Sequence, residues 1–164
     1  MQIIKDQKIV ADHWQHIATD TTASNLPSGD IIVTLPLWRD SKDELLKRSG
    51  LLGLRLEGDA DLNDIAEDLK HFAVIALVFP AFRDGRGYSL ARRLREHFGY
   101  EGEIRATGNV LRDQLAYMSR VGINAFEIDE GQSLQDALMA FDEINVRYQA
   151  SSDEALPLYR RRAS

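Results

Sequence analysis

Short apolar runs alternate with amphipathic segments along most of the chain, from about residue 31 onward. Five runs rich in apolar and β-branched residues indicate buried strands, which begin near residues 31, 52, 73, 103 and 123. Between them, apolar residues recur at helical spacing. These helical segments follow residues that favour helix amino termini, namely Ser41, Asp61, Ser89, Asn109 and Ser133. The pattern predicts a repeated unit of one strand and one helix.

The spacing of the strands decides the fold class. Consecutive strands start roughly 20 residues apart, with an insertion of about ten residues after the third, and parallel strands need connections of this length. We therefore expect an α/β domain with a five-stranded, mainly parallel sheet. Two arrangements remain open. The first expectation is an open, doubly wound sheet with helices on both faces, as in flavodoxin-like folds; the other is an arc that resembles part of a (βα)8 barrel.

The chain length favours a single domain over residues 1–149, because 164 residues leave little room for a second core. Residues 1–30 are predicted as an N-terminal extension, in which a small hairpin around Asp6 and Gln7 precedes a polar loop over residues 12–30. Residues 150–164 are predicted as a C-terminal tail, which either frays or packs on a partner through its apolar residues.

Composition excludes several classes of function. The net charge of −6 argues against nucleic acid or a membrane surface as a partner. The chain has no cysteine, so thiolate nucleophiles and thiolate-held zinc or iron–sulfur clusters are excluded. His13 and His16 have a spacing compatible with a metal, but no second pair of ligands accompanies them, and we expect no metal site. Without a secretory or membrane-spanning segment, the expected location is cytoplasmic.

The segment over residues 79–89 combines the features of an anion site at the carboxyl end of the third strand, where parallel sheets bind ligands. Its glycines permit a close backbone approach, the helix that follows attracts anions, and its arginines are bidentate donors. The fourth strand end contributes further polar groups. The predicted anion-binding residues are Arg83, Gly85, Arg86, Gly87, Ser89, Asn109 and Arg112. The alternative is a structural loop whose arginines pair with nearby carboxylates.

Groups for acid–base chemistry lie near the same strand ends. The candidates are Asp84, Tyr88 and Asp113, with Glu57 and Asp59 as further carboxylates, and spacing alone selects none of them. The glycine loop lacks the third glycine of a dinucleotide fingerprint and the Gly-Lys-Ser/Thr of a P-loop, so no cofactor is assigned.

Several strings within residues 50–149 resemble a bacterial family known as domain of unknown function 934. The most specific are Asp-Gly-Arg-Gly-Tyr-Ser at residues 84–89 and Arg-Asp-Gln at residues 112–114. Members of this family often carry the label of an oxidoreductase of sulfite reduction. The resemblance thus implies a link to sulfite assimilation, without established catalytic residues. Val121 stands where many members have cysteine, so this chain lacks any redox function of that cysteine.

The residues and the resemblance together favour an accessory protein of bacterial sulfite reduction and sulfur assimilation. It would bind an anionic metabolite or a sulfite reductase subunit at the carboxyl ends of the strands. Two alternatives remain open: an oxidoreductase with a diffusible flavin or nicotinamide cofactor, and a ligand-free protein-interaction module. Whether the chain forms a homo-oligomer is also left open.

Overall fold

The computed structural model describes residues 1–81 and 83–143. Within these residues the chain forms one sheet of eight strands. The strands are β1 (Gln2–Lys5), β2 (Lys8–Ala11), β3 (Gln15–His16), β4 (Ile31–Thr34), β5 (Leu52–Leu56), β6 (Val74–Phe79), β7 (Glu103–Gly108) and β8 (Ala125–Phe126). Their order across the sheet is β2-β1-β8-β7-β6-β5-β4-β3.

The topology is that of a curled half-barrel. Strands β3 to β8 are parallel and each lies beside its predecessor in the chain, whereas β1 runs antiparallel to both β2 and β8. Right-handed crossovers between strands in sequential order carry every helix to the same face. The predicted arc is therefore confirmed. The five-stranded, doubly wound flavodoxin-like sheet is wrong, because it requires a reversal of strand order that this chain does not make.

Within the described residues, three α-helices connect strands: α1 (Leu35–Leu46), α2 (Arg86–Glu96) and α3 (Leu115–Arg120). A fourth, α4 (Leu134–Met139), follows β8. Three 3-10 segments accompany them, over Ala23–Asn25, Leu62–His71 and Arg112–Gln114. The helices pack on one side of the sheet and form a single core with strand residues such as Leu54, Ile75 and Ile104. Among the described residues, no helix is both long and apolar enough to cross a membrane.

Three predicted helix starts are wrong, namely those at Ser41, Ser89 and Asn109. The helix predicted from Ser41 begins instead after Thr34, whose hydroxyl accepts a hydrogen bond from the Leu37 N–H at 3.4 Å, and Ser41 lies at a kink with φ −134°. The helix begins after Thr34 because threonine is a good capping residue and Pro36 suits the first turn. Asn109 caps no helix, since the Arg112–Gln114 segment starts after Leu111. The Ser133 cap of α4 is confirmed.

Residues 2–16 contribute three of the eight strands to the sheet. The predicted hairpin is confirmed, with Asp6 and Gln7 at φ 48° and 58° between β1 and β2, and β1 also pairs with β8. The predicted loop over residues 12–30 contains β3 and a 3-10 turn. The strand predicted over residues 123–128 is reduced to β8, and the tail over residues 150–164 lies outside the described residues.

Three residues tie together the two edges of the sheet. Strands β2 and β3 lie at opposite edges, yet only residues 12–14, which we call the strap, separate them in the chain. Four Cα–Cα steps from Ala11 to Gln15 span at most about 14 Å. Eight flat strands would be about 34 Å wide, so the sheet must curl. In the strap, Trp14 covers Ile32, Val74 and Ala76 on the concave face, which is the face turned away from the helices.

Candidate functional site

The loop after β6 carries most of the predicted anion site. The α2 helix begins at Arg86 with Gly85 as its N-cap, so the helix start predicted at Ser89 is wrong and Ser89 lies in the first turn. Neither Gly85 nor Gly87 has a positive φ. Gly87 serves packing, because a β-carbon there would lie 2.5 Å from Cζ of the Phe79 ring. A larger residue in this short helical turn would therefore clash.

Arg86 is engaged by its neighbour Asp84. The Arg86 Nε and Nη2 donate to the two carboxylate oxygens at 2.9 and 2.6 Å, and the Arg86 backbone N–H adds a third bond at 3.2 Å. These hydrogen bonds lower the pKa of Asp84 to about 2. Arg83, in the same loop, is exposed to solvent. The geometry around Arg86 corresponds to the structural-loop interpretation.

The residues after β7 have separate partners. The Arg112 guanidinium forms ion pairs with Asp136, at 3.0 Å, and with Glu143. The Asn109 backbone N–H donates to the Phe79 carbonyl at 2.7 Å, and Asp113 is exposed. The structure thus gives the Arg112 guanidinium its own carboxylates and does not place it with Arg86 around one ligand position.

Tyr88, a predicted proton donor, lies in an aromatic row. Its ring centroid is 5.3 Å from that of Phe79 and 5.2 Å from that of Tyr117. Burial raises the pKa of the Tyr88 phenol, and the neighbouring Tyr117 and Asp113 raise it further. Packing accounts for this residue, and the phenol stays protonated at neutral pH.

Two adjoining cavities lie at the carboxyl ends of the strands. The larger, of about 480 Å³, lies between the ends of β4 and β5 and the start of α1. The smaller, of about 340 Å³, lies on the concave face and reaches β7 and β8. Arg55 and Glu57 line both cavities. The two cavities therefore meet at the end of β5, whereas the predicted anion-binding residues line neither.

Arg55 is the central cation of this edge. Its side chain is 27% exposed, and its contacts are long: Nη2 lies 3.4 Å from the Thr19 hydroxyl, and Nε lies 3.7 Å from Oε1 of Glu57. A guanidinium carries five N–H donors, so these two contacts leave most of its hydrogen-bonding capacity unused. Arg55 is thus positioned to bind a group that enters either cavity.

A second arginine lies on the same face in a different environment. Arg55 and Arg105 both pair with Ala76 in register, one from each side. The Arg105 side chain is 1% exposed. Its guanidinium donates to three carboxylates, those of Glu103 (2.7 Å), Asp12 (2.9 and 3.1 Å) and Glu127 (3.0 Å). Burial alone would lower the pKa of Arg105, but these carboxylates raise it above its ordinary value.

Glu127 connects this buried cluster to the smaller cavity. Its Oε1 accepts from Arg105 and also lies 2.7 Å from Nε2 of His16. Because an ionised carboxylate only accepts hydrogen bonds, the proton of a neutral His16 imidazole lies on Nε2 and leaves Nδ1 with its lone pair. His16 and Glu127 both line the smaller cavity. A carboxylate-oriented imidazole beside a cavity can transfer protons.

The two histidines of the predicted metal spacing bind different carboxylates. His13 Nε2 lies 3.1 Å from Oδ2 of Asp30 on the exposed surface, whereas His16 is bound to Glu127. Among the residues that the structure describes, no group of three or more histidine, aspartate or glutamate side chains could hold a metal ion.

The sequence predicted a site at the carboxyl ends of the strands but did not single out Arg55 or His16, which line the cavities there. Glu57 and Asp59, two of the predicted carboxylates, line the larger cavity. The signal for Arg55 was available, because an arginine inside the apolar run of β5 must find a partner or a role. His16 had no comparable signal, since its carboxylate partner lies 111 residues later in the chain.

Comparison with known proteins gives a family without an activity. A family model described as "Bacterial protein of unknown function (DUF934)" matches residues 53–159. No curated protein and no solved structure matches the chain significantly. The matched residues include Arg55 and Glu127, whereas His16 and the strap precede them.

Proposed function

Because the chain belongs to the DUF934 family of bacterial proteins, whose description names no reaction, we propose its function from the site alone: it binds a small anionic metabolite at the carboxyl edge of the curled sheet. The observation that carries this proposal is Arg55, a partly buried guanidinium with two long contacts at the junction of two cavities. Arginine is the preferred residue for carboxylate and oxyanion groups because its donors form a planar fork.

The other charges around the larger cavity restrict the ligand further. Besides Arg39 and Arg55, its walls carry four carboxylates, those of Glu57, Asp59, Asp61 and Asp64. Asp64 pairs with Arg39 at 3.3 Å, and Asp61 accepts the backbone N–H of Asn63. Glu57 and Asp59 remain as acceptors beside Arg55. This wall favours a ligand with one anionic group and a hydroxyl or amine donor, and it repels polyanions such as nucleotides.

The size of the cavity and the start of α1 support the same ligand class. A cavity of about 480 Å³ lies in the range of small-molecule sites. Thr34, Leu35 and Pro36 line it, so the amino terminus of α1 borders the bound group. Helix amino termini carry partial positive charge and add to the attraction of an anion.

An accessory role in sulfite reduction extends this proposal. Sulfite is a small oxyanion, so it matches the anionic group of the ligand class derived from the charges around Arg55 but not its hydroxyl or amine donor. The family resemblance supports sulfite assimilation as the setting, and a sulfite reductase subunit would be the partner. The oxidoreductase and the ligand-free module make other predictions: the first requires a flavin or nicotinamide nucleotide to bind, and the second requires no ligand response.

Thermal unfolding and calorimetry of the purified chain test the proposal. The panel contains sulfite, sulfate, phosphate, lactate, serine, flavins and nicotinamide nucleotides. A ligand at about 100 times its Kd stabilises a protein by about 2.7 kcal/mol. For a chain of this size, that corresponds to a rise in Tm of roughly 5–11 °C. We expect such a rise with a singly charged anion and not with a nucleotide.

Two arginine variants locate the site. Arg55→Gln should abolish the rise in Tm, whereas Arg86→Gln, which removes the arginine of the loop after β6, should retain it. Failure of every ligand to bind would overturn the proposal and favour the interaction module. Loss of anion binding in Arg86→Gln but not in Arg55→Gln would show that the anion site lies in the loop after β6.

A further inference from the structure

We propose that His16, oriented by Glu127, is the acid–base group of this site and that the chain transfers a proton to or from the anion held by Arg55. This inference rests on the proposed function, because Arg55 supplies the ligand. It adds a chemical step to what would otherwise be binding alone. The step follows from contacts that join the strap, β3 and the end of β8.

A series of hydrogen bonds fixes the orientation of His16. The His16 Nε2 lies 2.7 Å from Oε1 of Glu127, and the same oxygen accepts from Arg105 at 3.0 Å. The Arg105 side chain is in turn fixed by the carboxylates of Asp12 and Glu103. Glu127 thus accepts hydrogen bonds from both side chains and cannot rotate away without breaking its bond to a buried arginine. It holds the imidazole in the tautomer that leaves Nδ1 able to accept a proton.

The groups around His16 suit proton transfer. Glu127 and Glu57 are the carboxylates of the smaller cavity, and Arg55 is its guanidinium. When His16 accepts a proton, Glu127 stabilises the imidazolium through the existing hydrogen bond. The proton leaves the ligand, its bonding electron pair stays on the ligand, and the same imidazole can return the proton to the ligand or to water.

The dimensions of the cavity define the substrate class. Arg55 and His16 line one space of about 340 Å³, so the anionic group and the ionisable proton belong to one small molecule and lie a few bonds apart. A small carboxylate or oxyanion with its reactive hydrogen close to the charge meets this requirement.

A second histidine provides a matched control within the chain. His13 also pairs with a carboxylate, Asp30, at 3.1 Å, but its side chain is 75% exposed, against 30% for His16. His13 lines neither of the two cavities. If exposure alone decided reactivity, His13 would react faster than His16 with any reagent for imidazoles.

Carbethoxylation by diethyl pyrocarbonate at pH 8 measures this reactivity residue by residue. The imidazole nitrogen attacks one carbonyl carbon and forms an N–C bond. Ethyl carbonate leaves and decomposes to ethanol and carbon dioxide, and the imidazole loses its N–H proton. Mass spectrometry of peptides gives the rate at each histidine in the full chain. We expect His16 to react at least about tenfold faster than His13, a difference of about 1.4 kcal/mol in activation free energy.

Two variants separate this inference from the proposed function. Glu127→Gln should reduce the rate at His16 to that of His13 or below, and Arg55→Gln should leave the rate unchanged while it abolishes anion binding. A wild-type His16 that reacts more slowly than His13, or a rate unaffected by Glu127→Gln, would overturn the inference whatever the anion panel gives. Absence of Arg55-dependent binding would instead overturn the proposed function and, with it, the substrate of this step.

Discussion

Arg55 and Arg105 occupy equivalent positions in the sheet and have opposite environments. Both lie on the concave face, and both pair in register with Ala76. Arg105 is buried and bound by three carboxylates, whereas Arg55 is partly exposed with two long contacts. The position in the sheet therefore does not decide what an arginine does. The number and geometry of its carboxylate partners decide it.

The strap creates much of this difference. It places Asp12 beside Arg105, next to the carboxylates that β7 and the end of β8 provide. It does not reach Arg55, whose nearest carboxylate is Glu57 at 3.7 Å. One part of the concave face is therefore closed by charge pairing, and the other is left open, at the place of the proposed site. The predictions below test that division.

The largest effect is expected from removal of the buried arginine. Arg105→Ala removes the cation that three carboxylates share and leaves Glu103 with Lys5, at 2.8 Å, as its ion-pair partner. Loss of one partner from such a buried cluster costs about 3–5 kcal/mol of unfolding free energy. Arg55→Ala should change the unfolding free energy by no more than about 1 kcal/mol, because its ion pair with Glu57 is long and partly exposed. Urea unfolding of both variants measures the two values.

The comparison would fail if the two variants lost equal stability, or if Arg55→Ala lost more. Arg105→Lys is the matched control, since it keeps the charge and removes the planar fork. It should be less destabilised than Arg105→Ala, and the difference reports how much of the stabilisation comes from charge alone.

A smaller effect is expected from packing in the closed part of the face. A β-carbon at Gly53 would lie 2.9 Å from Cγ1 of Ile32 and 3.2 Å from Cβ of Val74, both of which Trp14 covers. Gly53→Ala should therefore destabilise the fold by about 1–3 kcal/mol, as overpacking of a filled core does. Gly131→Ala is the control, because a β-carbon there meets nothing within 4 Å. Equal urea midpoints for the two variants would show that the closed part of the concave face accommodates an additional methyl group.

The smallest effect concerns a third arginine, Arg86, whose partner is local. The pKa of Asp84 is lowered from its ordinary value of 3.8 to about 2, so the pair stabilises the fold above pH 3.8 and this stabilisation is lost as the pH falls through 2. Asp84→Asn should therefore have a Tm that depends less on pH over that interval than the wild-type Tm. Because the pair is exposed, the change is small. An unchanged acid slope would contradict this account of Asp84.

Several local features were predicted correctly from the sequence, although the helix starts predicted at Ser41, Ser89 and Asn109 are wrong. The βα repeat, the hairpin at Asp6 and Gln7 and the Ser133 cap all follow from periodicity or from single capping residues. The direction in which the sheet curls did not follow, because the same repeat suits an arc and a doubly wound sheet. Strand order decides between them, and no local pattern in the sequence encodes that order.

The predicted site and the candidate site share the carboxyl edge of the sheet but differ in their residues. The carboxyl edge follows from the parallel topology, and Glu57 was among the carboxylates considered. The loop after β6 was predicted as an anion site because its glycines and arginines lie close together in the sequence. Asp84 lies in the same short segment, so it forms hydrogen bonds with Arg86 directly. The dyad of His16 and Glu127 joins residues from opposite ends of the described chain. Only the closure of the half-barrel brings them together.

The contacts of the strap also determine when the sheet can finish folding during synthesis. Its Asp12 binds Arg105, 93 residues later, and the adjoining His16 binds Glu127, 111 residues later. During synthesis the β1–β2 hairpin emerges first, but a lone hairpin is only marginally stable, and β8, the strand that receives it, is made last. Contacts of such long range slow folding. A nascent chain therefore carries Arg55 and the residues of the larger cavity long before it has the smaller cavity, whose lining includes Glu127 and which forms only when the sheet closes.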